Sequence, residues 1–349
     1  MRLRDLASDE FEIIRRHFNQ EGLAFAKQGV TLGIGDDCAL LSADPLQQFA
    51  ISMDLLQEGV HFLPGADPFL LGQRTLLVNL SDLAAMGAEP LCFTLALSLP
   101  KADENWLERF TAGLAVVAQA HDCPLVGGDL TATHSEHGAI TLCVQVHGQR
   151  PVDAGMTRSG ASAGDLVYVT GTLGDAAAGL SVLKGSSPQD LPVSHAEALV
   201  SAFYQPESRV KFGMALRGLA SAAIDISDGL ASDLEHILRG STVGASINTE
   251  TLPMSDAFRA MISESARLSL ALGGGDDYEL CFTVARERVQ ELEQQLLATD
   301  TTATCIGRIE SGHGPIHWLR NGKEIALNVQ GYNHFSTQKE TQQQTQERQ

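Results

Sequence analysis

Short apolar runs alternate with amphipathic stretches along almost the whole chain, and that alternation confines it to a layered architecture of sheets covered by helices. The runs Phe49–Met53, Leu91–Leu99, Ala139–His147, Leu166–Thr170, Ala222–Ile226, Tyr278–Val284 and Ala303–Gly307 read as strands. Pro68–Met86, Glu104–Ala120 and Asp175–Leu183 repeat apolar residues at three- and four-residue spacing and read as helices. Ser194–Phe203, Arg209–Leu219, Gly229–Leu238 and Glu287–Leu297 read as further helices. A chain of 349 residues exceeds one ordinary domain at roughly 150 residues each, so two α/β domains are expected. Residues 148–164 are turn-rich and lack apolar periodicity, which puts the boundary near residue 150 and predicts domains over 1–150 and 151–335. Asn321-Gly322 between two apolar segments marks a hairpin, and the Gln/Thr/Glu-rich residues 336–349 read as a disordered tail.

Composition narrows the function classes. No apolar run approaches the ~18 residues of a membrane span. Met1-Arg2-Leu3-Arg4-Asp5 lacks the apolar core of a secretory signal, so a cytoplasmic location is expected. The six cysteines form no C-x-x-C pair, and several sit in apolar runs such as Leu91-Cys92-Phe93, which reads as reduced core residues. Twenty-four basic against 43 acidic residues leave a net charge of −19, which repels nucleic acid and anionic membrane alike. Polyanionic substrates would then need bridging cations.

Neither a phosphate-binding G-x-x-x-x-G-K-[S/T] loop nor a complete G-x-G-x-x-G is present. Instead Gly and Asp recur together in short, turn-like segments: Gly33-Ile34-Gly35-Asp36-Asp37, Gly127-Gly128-Asp129, Asp225-Ile226-Ser227-Asp228-Gly229 and Gly273-Gly274-Gly275-Asp276-Asp277. Ser52-Met53-Asp54 and Asn79-Leu80-Ser81-Asp82 add two further acids. Glycine lets the backbone approach a ligand and a neighbouring carboxylate offers the hard oxygen that Mg²⁺ prefers, so the set suits metal-bridged phosphates. Any one Gly-Asp pair is equally a plain turn.

Individual residues keep two readings. Asp82 interrupts an otherwise apolar helix, and lies either on a solvated face or on a functional one. Asp54 ends a strand-like run, where ligands gather in open α/β sheets. Asp228 precedes a helix and is a metal ligand or an N-cap. Arg158 lies near the domain junction and is a phosphate partner or a solvated loop residue. His61, alone in a loop, has no assignment from its surroundings.

Taken in order, the segments Gly33–Ala39, Val78–Gly87, Gly127–Asp129, Thr157–Gly160, Asp225–Gly229 and Gly331-Tyr332-Asn333-His334-Phe335 resemble the thiamine-monophosphate kinase family, which shares its fold with aminoimidazole ribonucleotide synthetase and selenophosphate synthetase. The resemblance implies ATP-dependent phosphorylation of thiamine monophosphate to thiamine diphosphate. It also implies a homodimer whose N-terminal mixed sheet joins its partner's in a barrel, followed by a C-terminal α/β domain. Magnesium ligands carry over to Asp37, Ser52, Asp54, Asp82, Asp129 and Asp225, with Met53 contributing backbone oxygen and Asp228 serving a further ion. Nucleotide contacts carry over to Gly128, Asp129, Arg158 and Ser227, and acceptor contacts to His61, Asp276 and Val329. Two of these depart from the family pattern: Asp276 stands where Glu is frequent, and Val329 where an aromatic residue meets the thiamine rings. Another ATP-dependent synthetase of the same fold and a non-catalytic Mg-nucleotide-binding regulator are the alternatives. No Cys precedes the first Gly-Asp-Asp motif, which disfavours selenophosphate synthesis.

Overall fold

A computed structural model describes residues 10–332 apart from 43, 136, 137, 328 and 330. The expected tail over 336–349 and the motif residues Asn333-His334-Phe335 lie outside the described residues. In chain order the first elements are α1 (Glu10–Ile13), extended by a π-helical turn over Ile14–Phe18, then β1 (Val30–Leu32), β2 (Leu40–Leu41), β3 (Gln47–Gln57) and α2 (Pro68–Ala85). Next come β4 (Glu89–Leu99), α3 (Glu104–Ala120), β5 (Leu125–Ala132), β6 (Thr141–Pro151), β7 (Leu166–Thr170), α4 (Asp175–Leu183), α5 (Val193–Tyr204) and α6 (Val210–Ala215). The chain finishes with β8 (Ala222–Asp225), α7 (Leu230–Ser241), β9 (Gly244–Asn248), α8 (Asp256–Met261), α9 (Glu264–Gly273), β10 (Leu280–Val284), α10 (Val289–Thr299), β11 (Ala303–Glu310), β12 (Ile316–Arg320) and β13 (Lys323–Glu324).

These elements form two compact units, one of Met1–Met156 with Tyr204–Leu219, the other of Thr157–Phe203 with Ala220–Gln349. The chain passes between them after Met156 and returns to the first unit for α6.

The first unit is built on a four-stranded mixed sheet of order β3-β6-β4-β5. β3 and β6 pair antiparallel from Gln47↔Pro151 to Gln57↔Thr141, and β4 runs antiparallel to β6. β4 and β5 are parallel, the pairing that a helical crossover such as α3 permits. One sheet face packs against α2, which also contacts α3 and α6. Asp67 caps α2 by accepting from the Phe69 and Leu70 amides, and Pro68 opens the helix where its missing N–H is no loss. Almost every side chain from Leu71 to Ala85 is buried, the mark of an interior helix.

Two glycines set how closely the neighbours approach α2. A Cβ on Gly113 of α3 would stand 2.0 Å from the Phe69 oxygen, and one on Gly213 of α6 would stand 2.1 Å from the Ala84 oxygen. Arg217, just past α6, donates from Nε to the Gly87 carbonyl. These contacts attach Tyr204–Leu219 to the first unit, although its sequence neighbours fold elsewhere.

The second unit holds a seven-stranded sheet of order β13-β12-β9-β11-β7-β10-β8, antiparallel except for β12 beside β9. Its core gathers Val167, Val169, Ile224, Leu234, Phe258, Cys281 and Ile306. The predicted hairpin is present: Arg320 pairs with Lys323, and Asn321 and Gly322 both take left-handed φ, 51° and 69°. Both units therefore combine mixed sheets with helices, the α/β two-domain class that the alternation predicts.

The structure corrects several local expectations. Gly127-Gly128-Asp129 is not a turn but the middle of β5, and a Gly128 Cβ would meet the Leu95 oxygen at 1.9 Å. Asp54 does not end its strand, since β3 continues to Gln57. The helix expected over Arg209–Leu219 is regular only over Val210–Ala215. Of the cysteines, Cys92, Cys123 and Cys281 are buried, but Cys38 and Cys305 are exposed.

Replacing Gly113 with alanine forces apart backbones that touch, so Gly113→Ala is expected to lower stability by about 2–3 kcal/mol. A urea unfolding midpoint equal to the wild type's would refute the close-approach account.

Candidate active site

The singled-out acids fall into separate groups because strand alternation turns them to different faces. On β3, Ser52 and Asp54 point to the α2 side, whereas Phe49, Ile51, Met53 and Leu55 lie on the open face. Ser52 Oγ donates to Asp82 Oδ2 at 2.6 Å. The Asp54 amide donates to Asn79 Oδ1 at 3.0 Å, and Asn79 Nδ2 in turn donates to the Thr75 carbonyl at 2.9 Å. Asn79 is fully buried, so helix and strand are held in register by a polar seam. This decides the open question on Asp82: its side chain turns toward β3.

Asp129 belongs to a second group. The register Asp129↔Ala96↔Cys143↔Leu55 puts it on the open face, three strands and roughly 14 Å from β3. It lines a cavity of about 790 Å³ together with Asp36, Asp37, Gly127 and Gly128. Phe11, Ile14, Arg15 and Phe18 of the N-terminal helical segment form its apolar and cationic wall. Sequence reading missed this wall, since so short a segment carries no usable periodicity.

His61 follows β3, and its Nδ1 accepts from the Gln57 amide at 3.0 Å. A ring nitrogen that accepts carries no proton, which leaves Nε2 as the proton-bearing nitrogen.

The third group is in the second unit. Asp225 ends β8 and is 5% exposed. Gly229, not Asp228, is the N-cap of α7, and no side chain caps it. The loop is held instead by Asp233, whose Oδ2 accepts from the Ser227 and Asp228 amides at 3.0 and 3.1 Å. Burial, and then the nearby Asp225 and Asp228, push the Asp233 carboxyl up to about 7. Asp233 was overlooked in the sequence, although it shares a helix face with Leu230, Leu234 and Ile237, which is the sign of a buried carboxylate.

The glycine-rich turn after α9 is stitched to that loop. The Asp276 amide donates to the Ser227 carbonyl and the Tyr278 amide to the Ile226 carbonyl, both at 2.8 Å. Beside them Asp277 is buried; its Oδ1 accepts from the Gly174 amide at 2.8 Å, while its Oδ2 has no hydrogen-bond partner among the described residues. Burial, opposed by the Gly174 amide and reinforced by Glu279, Asp175 and Asp276, pushes the Asp277 carboxyl well above the usual range. Arg158 is exposed and lies near His236, while Val329 packs against the core of the second unit.

Residues 35–149 match the family AIR synthase related protein, N-terminal domain, and residues 162–319 match its C-terminal domain. The thiamine-monophosphate kinase of Escherichia coli strain K12 is 44% identical over 332 residues, covering 95% of this chain and all of that protein. The chain belongs to the thiamine-monophosphate kinase family. Among solved structures, the thiamine-monophosphate kinase of Stenotrophomonas maltophilia K279a superposes with a TM-score of 0.78 at 41% identity, covering 86% of this chain and 93% of that one. AaThiL complexed with AMPPCP and TMP gives a TM-score of 0.71 at 30% identity, covering 96% of this chain and 99% of that one. The thiamine-monophosphate kinase family is thus matched along both units.

A titration tests the buried carboxylate. The folded pKa of Asp277 lies above its ordinary 3.8, so the folded state keeps a proton that the unfolded chain has released. Stability from this group is present below the unfolded pKa and is lost as pH rises through the folded one. The thermal midpoint is expected to fall across that window, and Asp277→Asn to flatten the fall; an unaltered slope in the variant would count against it.

Proposed function

We propose that the chain transfers the terminal phosphoryl group of ATP to the phosphate of thiamine monophosphate, giving thiamine diphosphate and ADP. The observation that carries this reading is the 44% identity to a thiamine-monophosphate kinase across that protein's whole length. AMPPCP, an ATP analogue, and TMP in the AaThiL complex support the choice of donor and acceptor.

The chemistry asks for positioning more than for a strong base. A phosphate monoester has a second pKa of about 6 and is already ionised near neutrality. What remains is to hold donor and acceptor in line and to offset charge. Gly128 lines the cavity beside Asp129, and the Ser227 and Asp228 amides are held in place by Asp233. His61, with its proton on Nε2, is suited to donate to an acceptor oxygen.

The donor set fits magnesium. Ser52, Asp54, Asp82, Asp37, Asp129, Asp225 and Asp228 offer hard oxygens, and Met53 offers its backbone carbonyl. Among the described residues no three acidic, His or Cys side chains form a ready cage. A magnesium ion here would be held by one or two carboxylates together with substrate phosphates and water. Bound Mg²⁺ would neutralise phosphate charge that a chain of net charge −19 otherwise repels. In this reading Gly128, Asp129, Arg158 and Ser227 contact the nucleotide, and His61, Asp276 and Val329 the acceptor. The N-terminal unit carries the first metal ligands and the dimer contact, and the protein works in the cytoplasm.

A homodimer is supported by the open sheet face. Phe49, Ile51, Met53 and Leu55 are 46–60% exposed in a row along edge strand β3, an apolar surface that a partner sheet would cover.

Purified protein given ATP and Mg²⁺ should form thiamine diphosphate from the monophosphate and none from free thiamine, and lose activity to a chelator. Asp54→Asn should keep its unfolding midpoint while turnover falls ~100-fold or more; full activity in that variant would remove Asp54 from the ligand set. ATP binding without ADP formation would favour the regulator reading. Ile51→Arg should shift the particle mass in light scattering from two chains to one, and an unchanged mass would rule out this face as the contact.

A further inference from the structure

The turn Gly275-Asp276-Asp277-Tyr278 is bent in a way its residues do not favour. Gly275, Asp276 and Tyr278 have φ of 67°, 63° and 52°, in the left-handed region that side-chain-bearing residues seldom adopt. Such a conformation persists where the surroundings over-determine it. Here the amides of Asp276 and Tyr278 donate to Ser227 and Ile226, Asp277 Oδ1 accepts from Gly174, and a Gly275 Cβ would stand 2.7 Å from the Ser227 oxygen. The bend is therefore held by backbone contacts and by the Asp277 carboxylate.

That ring turns back on its own turn: the Tyr278 hydroxyl donates to Asp276 Oδ1 at 3.1 Å, two residues away. Both side chains are half-buried. A hydrogen bond to a carboxylate is charge-assisted and directional, so it favours one orientation of the Asp276 carboxylate. The short Asp276 side chain falls within the hydroxyl's reach, whereas a glutamate would carry its carboxylate one methylene further.

We propose that Tyr278 is a positioning residue for acceptor recognition, its hydroxyl orienting the Asp276 carboxylate toward an N–H or cationic group of the acceptor. The inference rests on the reading of Asp276 as an acceptor contact. It assigns Tyr278 no contact with ATP, because the turn's link to Ser227 runs through backbone atoms that Tyr278→Phe leaves in place.

The test is steady-state kinetics of the full chain, varying thiamine monophosphate and ATP separately, for Tyr278→Phe, Asp276→Asn and the double variant, with thermal midpoints for each. Both single variants are expected to raise the KM for thiamine monophosphate about fivefold to tenfold and leave the KM for ATP unchanged. The double variant should be no worse than Asp276→Asn alone. A normal acceptor KM in Tyr278→Phe alongside a raised one in Asp276→Asn overturns the role of Tyr278 only, as do multiplying effects in the double variant. An unchanged acceptor KM in Asp276→Asn overturns the acceptor-contact reading and this inference with it. A lowered midpoint in Tyr278→Phe with both KM values raised would mean the hydroxyl supports the fold, and would also overturn it.

Discussion

Close backbone contact around the buried helix α2 is the constraint on which the first unit depends. Along the helix interior its amides and carbonyls are satisfied within the helix, so α3 and α6 can approach by van der Waals contact alone, and glycine brings them nearest. Gly113 touches it near Phe69 and Gly213 near Ala84. With the helix clamped at both ends, Asn79 and Asp82 face β3 at fixed heights. The polar seam is thus a consequence of apolar packing: Asn79 is affordable in the interior because its amide group is shared between the Asp54 amide and the Thr75 carbonyl.

In the second unit, order comes from carboxylates rather than from glycine contacts alone. Asp233 gathers two backbone amides and Asp277 gathers a third, each from deep within the protein. Neutralising either by burial is costly, and the cost falls on segments that carry the Gly-Asp motifs. Local strain and buried acids are thus concentrated beside the candidate site residues, the arrangement a preorganised site would need.

Much of this was legible in the sequence. Apolar periodicity located α2, α3 and α4 almost to the residue, because each is long or strongly patterned. The strand Leu166–Thr170 was found whole for the same reason. β5 was misread because Gly-Gly-Asp carries turn chemistry, and only the parallel neighbour β4, contributing the Leu95 oxygen, shows why those glycines belong in a strand. β9, α8 and α9 escaped because short segments packed by long-range partners leave little local signal. Among candidate site residues, Asp82 was visible as a charge within an apolar helix, Asp54 as the apparent end of a strand, and Asp37, Asp129, Asp225 and Asp228 through the Gly-Asp segments, while the resemblance supplied the roles proposed for them. The separation of Asp129 from Asp54 was not visible, since it depends on sheet order and on which face each residue takes.

The return of Tyr204–Leu219 to the first unit bears on how the protein is made. The first 156 residues leave the ribosome before the helix that closes against Ala84, and residues 157–203 must be synthesised in between. At ~5–20 residues per second that interval lasts several seconds. During it the Ala84 side of α2 lies bare on a nascent chain, so the unit encoded first is finished only after part of its neighbour has emerged.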